Sequence, residues 1–209
     1  MGRQHLCLWQ GRTTGFPFSG RADLPTFAAW AGPKLRERLL SETQIDPREL
    51  RNAFGCFATG IAVVTTLDSA GRAIGKTANS FASVSLEPPL VLWCLNKRSV
   101  TFDAFHASPH FVVSVIGANG GAVSKRFATF GNHVVEDGVP TVPTKLGPPS
   151  FPDALAVFEC ETHARHDGGD HVIIVGRVLR FSHHAGAAPK DKPLLFYRGR
   201  YAAMDDPSG

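Results

Sequence analysis

The sequence predicts a mainly β chain with a few short helices, in which six or more antiparallel strands form a closed or nearly closed barrel. Two observations carry this. Short runs rich in β-branched and apolar residues recur between turn-forming clusters, at Ile61–Leu67, Leu90–Leu95 and His110–Ile116. The stretch Leu155–Arg165 then alternates, with Ala156, Phe158, Cys160, Thr162 and Ala164 on one face and Glu159, Glu161, His163 and Arg165 on the other. Helical signals are confined to short pieces between these runs.

Residues 1–45 are rich in Gly, Pro, Arg and isolated aromatics, with one short possible helix near Lys34–Leu40, and read as an extension to the fold. From Asp46 the signals sharpen. Asp46 suits an N-cap, Pro47 the first helical turn, and Glu49 places negative charge early. The helix is expected to run to about Thr59, with Leu50, Phe54 and Phe57 as its apolar face, and to end at Gly60. Ile61–Leu67 follows as a strand, the turn-forming Asp68–Arg72 reverses the chain, and Ala73–Ser85 returns as one long strand of a hairpin. Pro88 and Pro89 interrupt it and Leu90–Leu95 resumes as a buried strand. Ser99 is placed to cap a short helix through His106. His110–Ile116 is a strand, Ala122–Phe130 a helix, and Pro-rich Gly138–Pro152 a loop. The turn Asp167–Asp170 joins Leu155–Arg165 to a second long strand, His171–Phe181, and a last strand precedes or includes Leu194–Tyr201.

At 209 residues the chain suits one core, and its 43% hydrophobic and 19% charged residues are those of a folded domain. The net charge of +4 resides mostly in residues 1–51, where eight Lys/Arg face five Asp/Glu; the remainder holds fourteen against thirteen. No basic stripe interleaved with aromatics is present, so no nucleic-acid partner is expected. Cys7, Cys56, Cys94 and Cys160 stand far apart without metal or disulfide spacing. No apolar run is long enough for a membrane span, and the N-terminus lacks the core of a signal peptide. A reducing, cytoplasmic setting without membrane attachment is the expectation.

Three familiar chemistries fit poorly. Gly75-Lys76-Thr77 resembles the end of a phosphate-binding loop, but Ala70 stands where that loop needs glycine and an extended segment follows it. His163, His166 and His171 gather around a turn without the spacing of metal ligands. No strained serine elbow exists for hydrolysis. The serines at 80, 83 and 85 alternate with apolar residues, consistent either with a half-buried strand or with a polar row facing a planar ligand.

The string Leu50–Thr66 (LRNAFGCFATGIAVVTT) resembles the opening of the short-chain flavin reductase family. Gly75–Phe102, Gly169–Val178 (GDHVIIVGRV) and Pro193–Met204 (PLLFYRGRYAAM) resemble further signatures in the same order, and the likeness covers about residues 46–204, leaving 205–209 as a tail. The resemblance implies an FMN-binding split β-barrel of Greek-key antiparallel type, a homodimer, and an NAD(P)H:flavin oxidoreductase. Such an enzyme hands reduced flavin to a partner monooxygenase. It implies that Thr77, Ala78, Asn79, Ser80 and Phe81 line the flavin ring and ribityl chain, continued by Ser83 and Val84. Lys97, Arg98, Ser99 and Thr101 correspond to the segment that holds the flavin phosphate, and two cations with two hydroxyls at a helix start suit that task. Phe127 and Ala128 correspond to a further flavin contact. His171, Arg198, Gly199, Arg200 and Tyr201 correspond to nicotinamide-dinucleotide contacts. Lys76 departs from the family, where Met is common, and either adds a cation near a phosphate or points to solvent.

Hydride transfer from NADH or NADPH to FMN or FAD needs positioning and no obligatory protein acid, base or nucleophile, so no catalytic residue is expected. Two alternatives share this site. One keeps FMN tightly bound and reduces another acceptor; the other binds flavin without turnover.

Overall fold

The computed structural model describes residues 45–136, 138–152, 154–183 and 192–204. The expected helix near Lys34–Leu40 lies outside them, as do most of the extension and the tail.

Chain order runs α1 (Pro47–Phe54), β1 (Thr59–Gly60), β2 (Ala62–Leu67), β3 (Ala73–Ala78), β4 (Ala82–Leu86), β5 (Pro89–Asn96), α2 (Phe102–Ala107), β6 (His110–Ile116), a 3₁₀ turn (Ala118–Gly120), α3 (Gly121–Ala128), β7 (Ala154–Gly168), β8 (His171–His183), β9 (Leu195–Tyr197) and β10 (Arg200–Ala202). Seven strands form one antiparallel sheet in the order β3-β2-β6-β7-β8-β5-β4, and β1-β9-β10 form a second, small one.

The connection between the two outermost strands of the large sheet fixes its shape. Only Asn79, Ser80 and Phe81 separate β3 from β4. Four residue steps span at most about 14 Å, whereas the edges of a flat seven-stranded sheet would stand about 29 Å apart. The sheet is therefore strongly curled, bringing the end of β3 within about 14 Å of the start of β4. Inside the roll lie Val64, Ile74, Trp93, Leu95, Phe111, Val113, Cys160 and Ile174, with Phe105 of α2 packed edge-on to Trp93. A second cluster, Ile61, Val63, Ile116, Phe127, Phe151 and Leu194, covers the outer face of β2. The continuous apolar run at Ile61–Val64 follows from this: alternate side chains enter different cores, and both faces are dry.

The structure corrects several expectations. The first helix stops at Phe54, because Thr59 and Gly60 pair with Phe196 and Leu195 as a strand. No residue of α1 is buried, and Phe54 and Phe57 are exposed. Ala73–Ser85 is two strands at opposite sheet edges, since β3 pairs with β2 while β4 pairs with β5. Thr101, not Ser99, occupies the N-cap of α2 and makes no side-chain cap bond. The alternation in β7 is broken by register shifts at Glu159/Cys160 and Thr162/Ala164. The C-terminal segment is a hairpin of the small sheet, not one strand, turned by Arg198 (φ 48°) and Gly199 (φ 76°), the paired positive φ of a tight type I′-like turn. The turn between β7 and β8 uses Gly169 (φ 76°) in the same region of φ. Among the described residues, no helix is long and apolar enough to cross a membrane.

Candidate functional site

The site begins at the corner between β3 and β4. Asn79, Ser80 and Phe81 belong to no strand, so their peptide groups lie outside the ladder. Ala82 faces Leu92 in the β4–β5 register, and the same register would bring Ser80 opposite Cys94. There the Ser80 hydroxyl replaces the ladder, accepting from the Cys94 N–H at 2.9 Å and reaching its carbonyl at 3.4 Å. Phe81 packs against Phe158 at 5.6 Å between ring centres. Asn79 and Ser83 are exposed, and Val84 bulges from the β4–β5 pairing at 49% exposure. Ala78, in contrast, is buried in the core cluster of the large sheet. The Thr77 hydroxyl donates to the carbonyl of Ser124 at 2.6 Å. The expected wall is thus a partly exposed corner whose free polar groups include main-chain groups and the Asn79 amide.

Three residues beyond Cys94, the chain leaves β5 at Lys97. The Lys97 N–H donates to the carbonyl of Asp170 at 3.0 Å, and its ammonium pairs with Asp167. Arg98 is exposed, and its N–H is held by the Asn96 side chain at 2.8 Å. Ser99 and Thr101 share a hydrogen bond of 2.8 Å, and the Thr101 side chain is buried. The β7–β8 turn therefore sits directly beside this segment. His171 Nδ1 lies 2.8 Å from Asp170 Oδ1, a bond that, with the charge of His171, holds the Asp170 carboxyl below the usual range. Nε2 is the imidazole nitrogen left for a ligand.

The hairpin carrying Arg198, Gly199, Arg200 and Tyr201 is anchored elsewhere. Arg198 N–H donates to the Gly55 carbonyl at 2.9 Å, its guanidinium lies 5.4 Å from the Tyr197 ring, and Tyr201 Oη is 2.8 Å from the buried Ser124 hydroxyl. The structure thus assembles Lys97, Arg98 and His171 at one place, and Thr77 with Tyr201, through Ser124, at another. No described contact joins His171 to the 198–201 hairpin.

Two expected roles change. Phe127 has no exposed surface and fills the space beside Gly75, where an added Cβ would stand 2.6 Å from its ring; it is a core residue, while Ala128 beside it is exposed. Lys76 does not simply point to solvent: it is half-buried, and burial pulls its pKa below the ordinary lysine range. Ser124 and Asp170 escaped the sequence reading. Asp170 was legible from its place beside His171, and Ser124 from lying one turn before Phe127 on a buried helix face. Among the described residues no group of three or more His, Cys, Asp or Glu is placed to hold a metal.

These residues fit a flavin on their chemistry. A ring with a polar edge matches an exposed corner of unladdered peptide groups, and a phosphate matches the exposed Arg98 beside Lys97.

Comparison with known proteins agrees. The family described as the flavin reductase like domain matches residues 54–205. The chain is 45% identical over 161 residues to an NADH-dependent FMN reductase of Agrobacterium fabrum, covering 74% of this chain and 84% of that one. It is 40% identical over 162 residues to the reductase subunit of a flavin-dependent monooxygenase of Mycobacterium tuberculosis, covering 78% and 84%. A probable flavin reductase of Rhizobium meliloti is 48% identical over 139 residues, but the chain spans only 43% of its length. Among solved structures, an NADH:FAD oxidoreductase of Streptomyces globisporus in complex with NAD and FAD fragments superposes with a TM-score of 0.70 at 36% identity, over 80% of this chain and 99% of that one.

Proposed function

Since the chain belongs to the flavin reductase-like family, we propose that it transfers a hydride from NADH or NADPH to FMN or FAD and supplies the reduced flavin to a partner monooxygenase. The supporting observation is the corner Asn79–Phe81, outside the ladder and pinned by Ser80 to Cys94, a few residues from the cations Lys97 and Arg98 on the same strand line. A flavin bound there would accept the hydride at its ring. The chain's own residues position the partners. Ser80 fixes the corner, Lys97 and Arg98 hold the phosphate with Ser99 beside them, and Asp170 orients His171 toward the nicotinamide dinucleotide. Asp170 stays ionised as it does so, which suits an orienting role rather than an acid.

The catalytic unit is residues 46–204, with 1–45 an extension and 205–209 a tail. The rolled sheet is a closed split barrel, and the working form is a homodimer. Exposed apolar side chains, Phe57 (78%), Leu86 (89%) and Phe181 (68%), supply surface for a second copy. The unbridged thiols Cys56, Cys94 and Cys160 suit a reducing cytoplasm.

The test is nicotinamide oxidation by dialysed protein, with NADH or NADPH, with and without FMN, FAD or riboflavin. Turnover that requires added flavin is the expected result. Turnover without it would favour tightly bound flavin with another acceptor, and flavin binding without turnover would favour a non-catalytic module. The relative named as a monooxygenase reductase subunit supports the partner assignment.

A further inference from the structure

A cleft of about 800 Å³ opens between the β2–β3 turn, α2 and residues 130–134. Its volume lies in the range of small-molecule sites. Thr101, the last residue of the candidate phosphate segment, also lines this cleft, so the cleft adjoins that segment at its C-terminal end. Its walls are apolar: Ile74, Val100, Ala104 and Val134, with Phe130 at 82% exposure offering a ring face.

The polar groups in the cleft select the ligand class. His133 is 7% exposed, lines the cleft, and has no hydrogen-bond partner at either ring nitrogen. Burial, and then the charge of Lys76, hold its pKa below the ordinary value; the Gly75 backbone opposes this more weakly. The imidazole is therefore neutral, with one donor and one acceptor to offer. The exposed Asp103 carboxylate can accept from vicinal hydroxyls, as acidic residues do for ribose. The arginine of the cleft, Arg72, is already paired with Asp68 at 2.9 Å. Apolar walls, an exposed aromatic ring, a neutral donor–acceptor pair and a free carboxylate suit a nucleoside better than another phosphate.

We propose that this cleft receives the adenosine end of FAD, so that the protein prefers FAD to FMN. The inference rests on the flavin-binding reading above and names which flavin that site takes.

Binding of FAD, FMN and AMP should be measured by titration calorimetry on the wild type and on Phe130→Ala and Asp103→Ala, both exposed positions that the fold tolerates. The wild type should bind FAD at least tenfold more tightly than FMN. Phe130→Ala should weaken FAD about tenfold, the ordinary worth of one base–aromatic stack, and leave FMN unchanged. AMP should bind alone, compete with FAD, and be lost in Phe130→Ala. Equal affinity for FAD and FMN with no AMP binding would overturn the cleft assignment while leaving the flavin reading intact. AMP that displaces NADH but not FAD would overturn it as well. AMP binding that depends on Phe130, with neither flavin bound, would support an adenosine cleft and refute the flavin reading.

Discussion

The hydroxyl of Ser124, buried on α3, lies 2.8 Å from the phenol of Tyr201, while the carbonyl of the same residue accepts the Thr77 hydroxyl at 2.6 Å. One helical residue thus ties the candidate flavin wall to the candidate nicotinamide hairpin. Ser124→Ala keeps the Thr77 bond, which uses the backbone, and removes the Tyr201 bond alone. A lost hydrogen bond of this kind costs about 1 kcal/mol, which for a domain this size lowers Tm by about 2–4 °C. Tyr201→Phe should do the same, and the double variant should lose no more than either single one. Additive losses in scanning calorimetry would show that the two hydroxyls act independently.

His171, half-buried at the β7–β8 turn, is held there by Asp170. His171→Ala should raise the KM for the nicotinamide cofactor several-fold, on the order of tenfold, with a smaller effect on the KM for flavin. Asp170→Asn should follow in the same direction by less, since the ring loses its ionised partner but keeps a hydrogen-bond acceptor. An unchanged nicotinamide KM in His171→Ala would remove it from that site.

Arg98 and Ser99 are assigned to the phosphate. Replacing both with Ala should weaken FMN about tenfold or more and leave riboflavin, which has no phosphate, within about twofold. Equal loss for the two flavins would mean that the segment shapes the site rather than holding the phosphate. The Tm of the variant serves as control, because Ser99 also partners the buried Thr101 hydroxyl.

The strands most legible in the sequence are those whose side-chain pattern is decided locally. His110–Ile116 reads as a β-branched run and is β6; the Asp68–Arg72 turn is held by Asp68 accepting from the Ala70 and Arg72 N–H groups. What the pattern could not reveal depends on distant neighbours. Asn79–Phe81 lies within a stretch that reads as one extended segment, and it leaves the ladder where the chain crosses from β3, paired with β2, to β4, paired with β5. The resemblance places Phe127 at a flavin contact, and nothing local announces that glycine at position 75 leaves room for its ring in the core. In the candidate site, Lys97–Ser99 had their own chemistry in the sequence, whereas His171 rested on the resemblance and Asp170 was passed over although it stands beside it. Ser124 had one local signal, its place one turn before Phe127, but its role became visible only once packing set it between Thr77 and Tyr201.

His133 gives the fold a pH dependence with a defined sign. Its pKa in the folded chain is lowered by burial and then by Lys76, whereas the unfolded chain recovers the ordinary value of 6.5. Between those two values the unfolded state binds more protons, so stability falls as pH drops below about 6.5 and is unaffected by this group above it. His133→Leu removes the titration and keeps an apolar filling. The difference in Tm between wild type and His133→Leu should therefore shift in favour of the variant from pH 7 to pH 5; parallel Tm curves would show that His133 takes up its proton equally in the folded and unfolded states.

Gly75 is required by packing rather than by backbone conformation. It sits in β3, paired with Thr65, and a Cβ built on it would stand 2.6 Å from Phe127 Cδ1 and 2.7 Å from Cε1. Phe127 has little freedom to retreat, because it is fully buried among Ile61, Val63, Ile116, Phe151 and Leu194 and lies 5.4 Å from the Phe151 ring. Gly75→Ala should therefore cost about 1–3 kcal/mol from overpacking, outweighing the usual gain of Ala over Gly in a strand, and lower Tm by several degrees. Phe127→Leu alone should also destabilise, by leaving a void. Together the two changes trade volume across one contact, so the double variant should lose clearly less than the sum of the single losses. Strict additivity in thermal denaturation would mean that the alanine methyl is accommodated by movement of β3 instead, and the adjoining Thr77 and Asn79 corner would then shift with it, which flavin affinity would register.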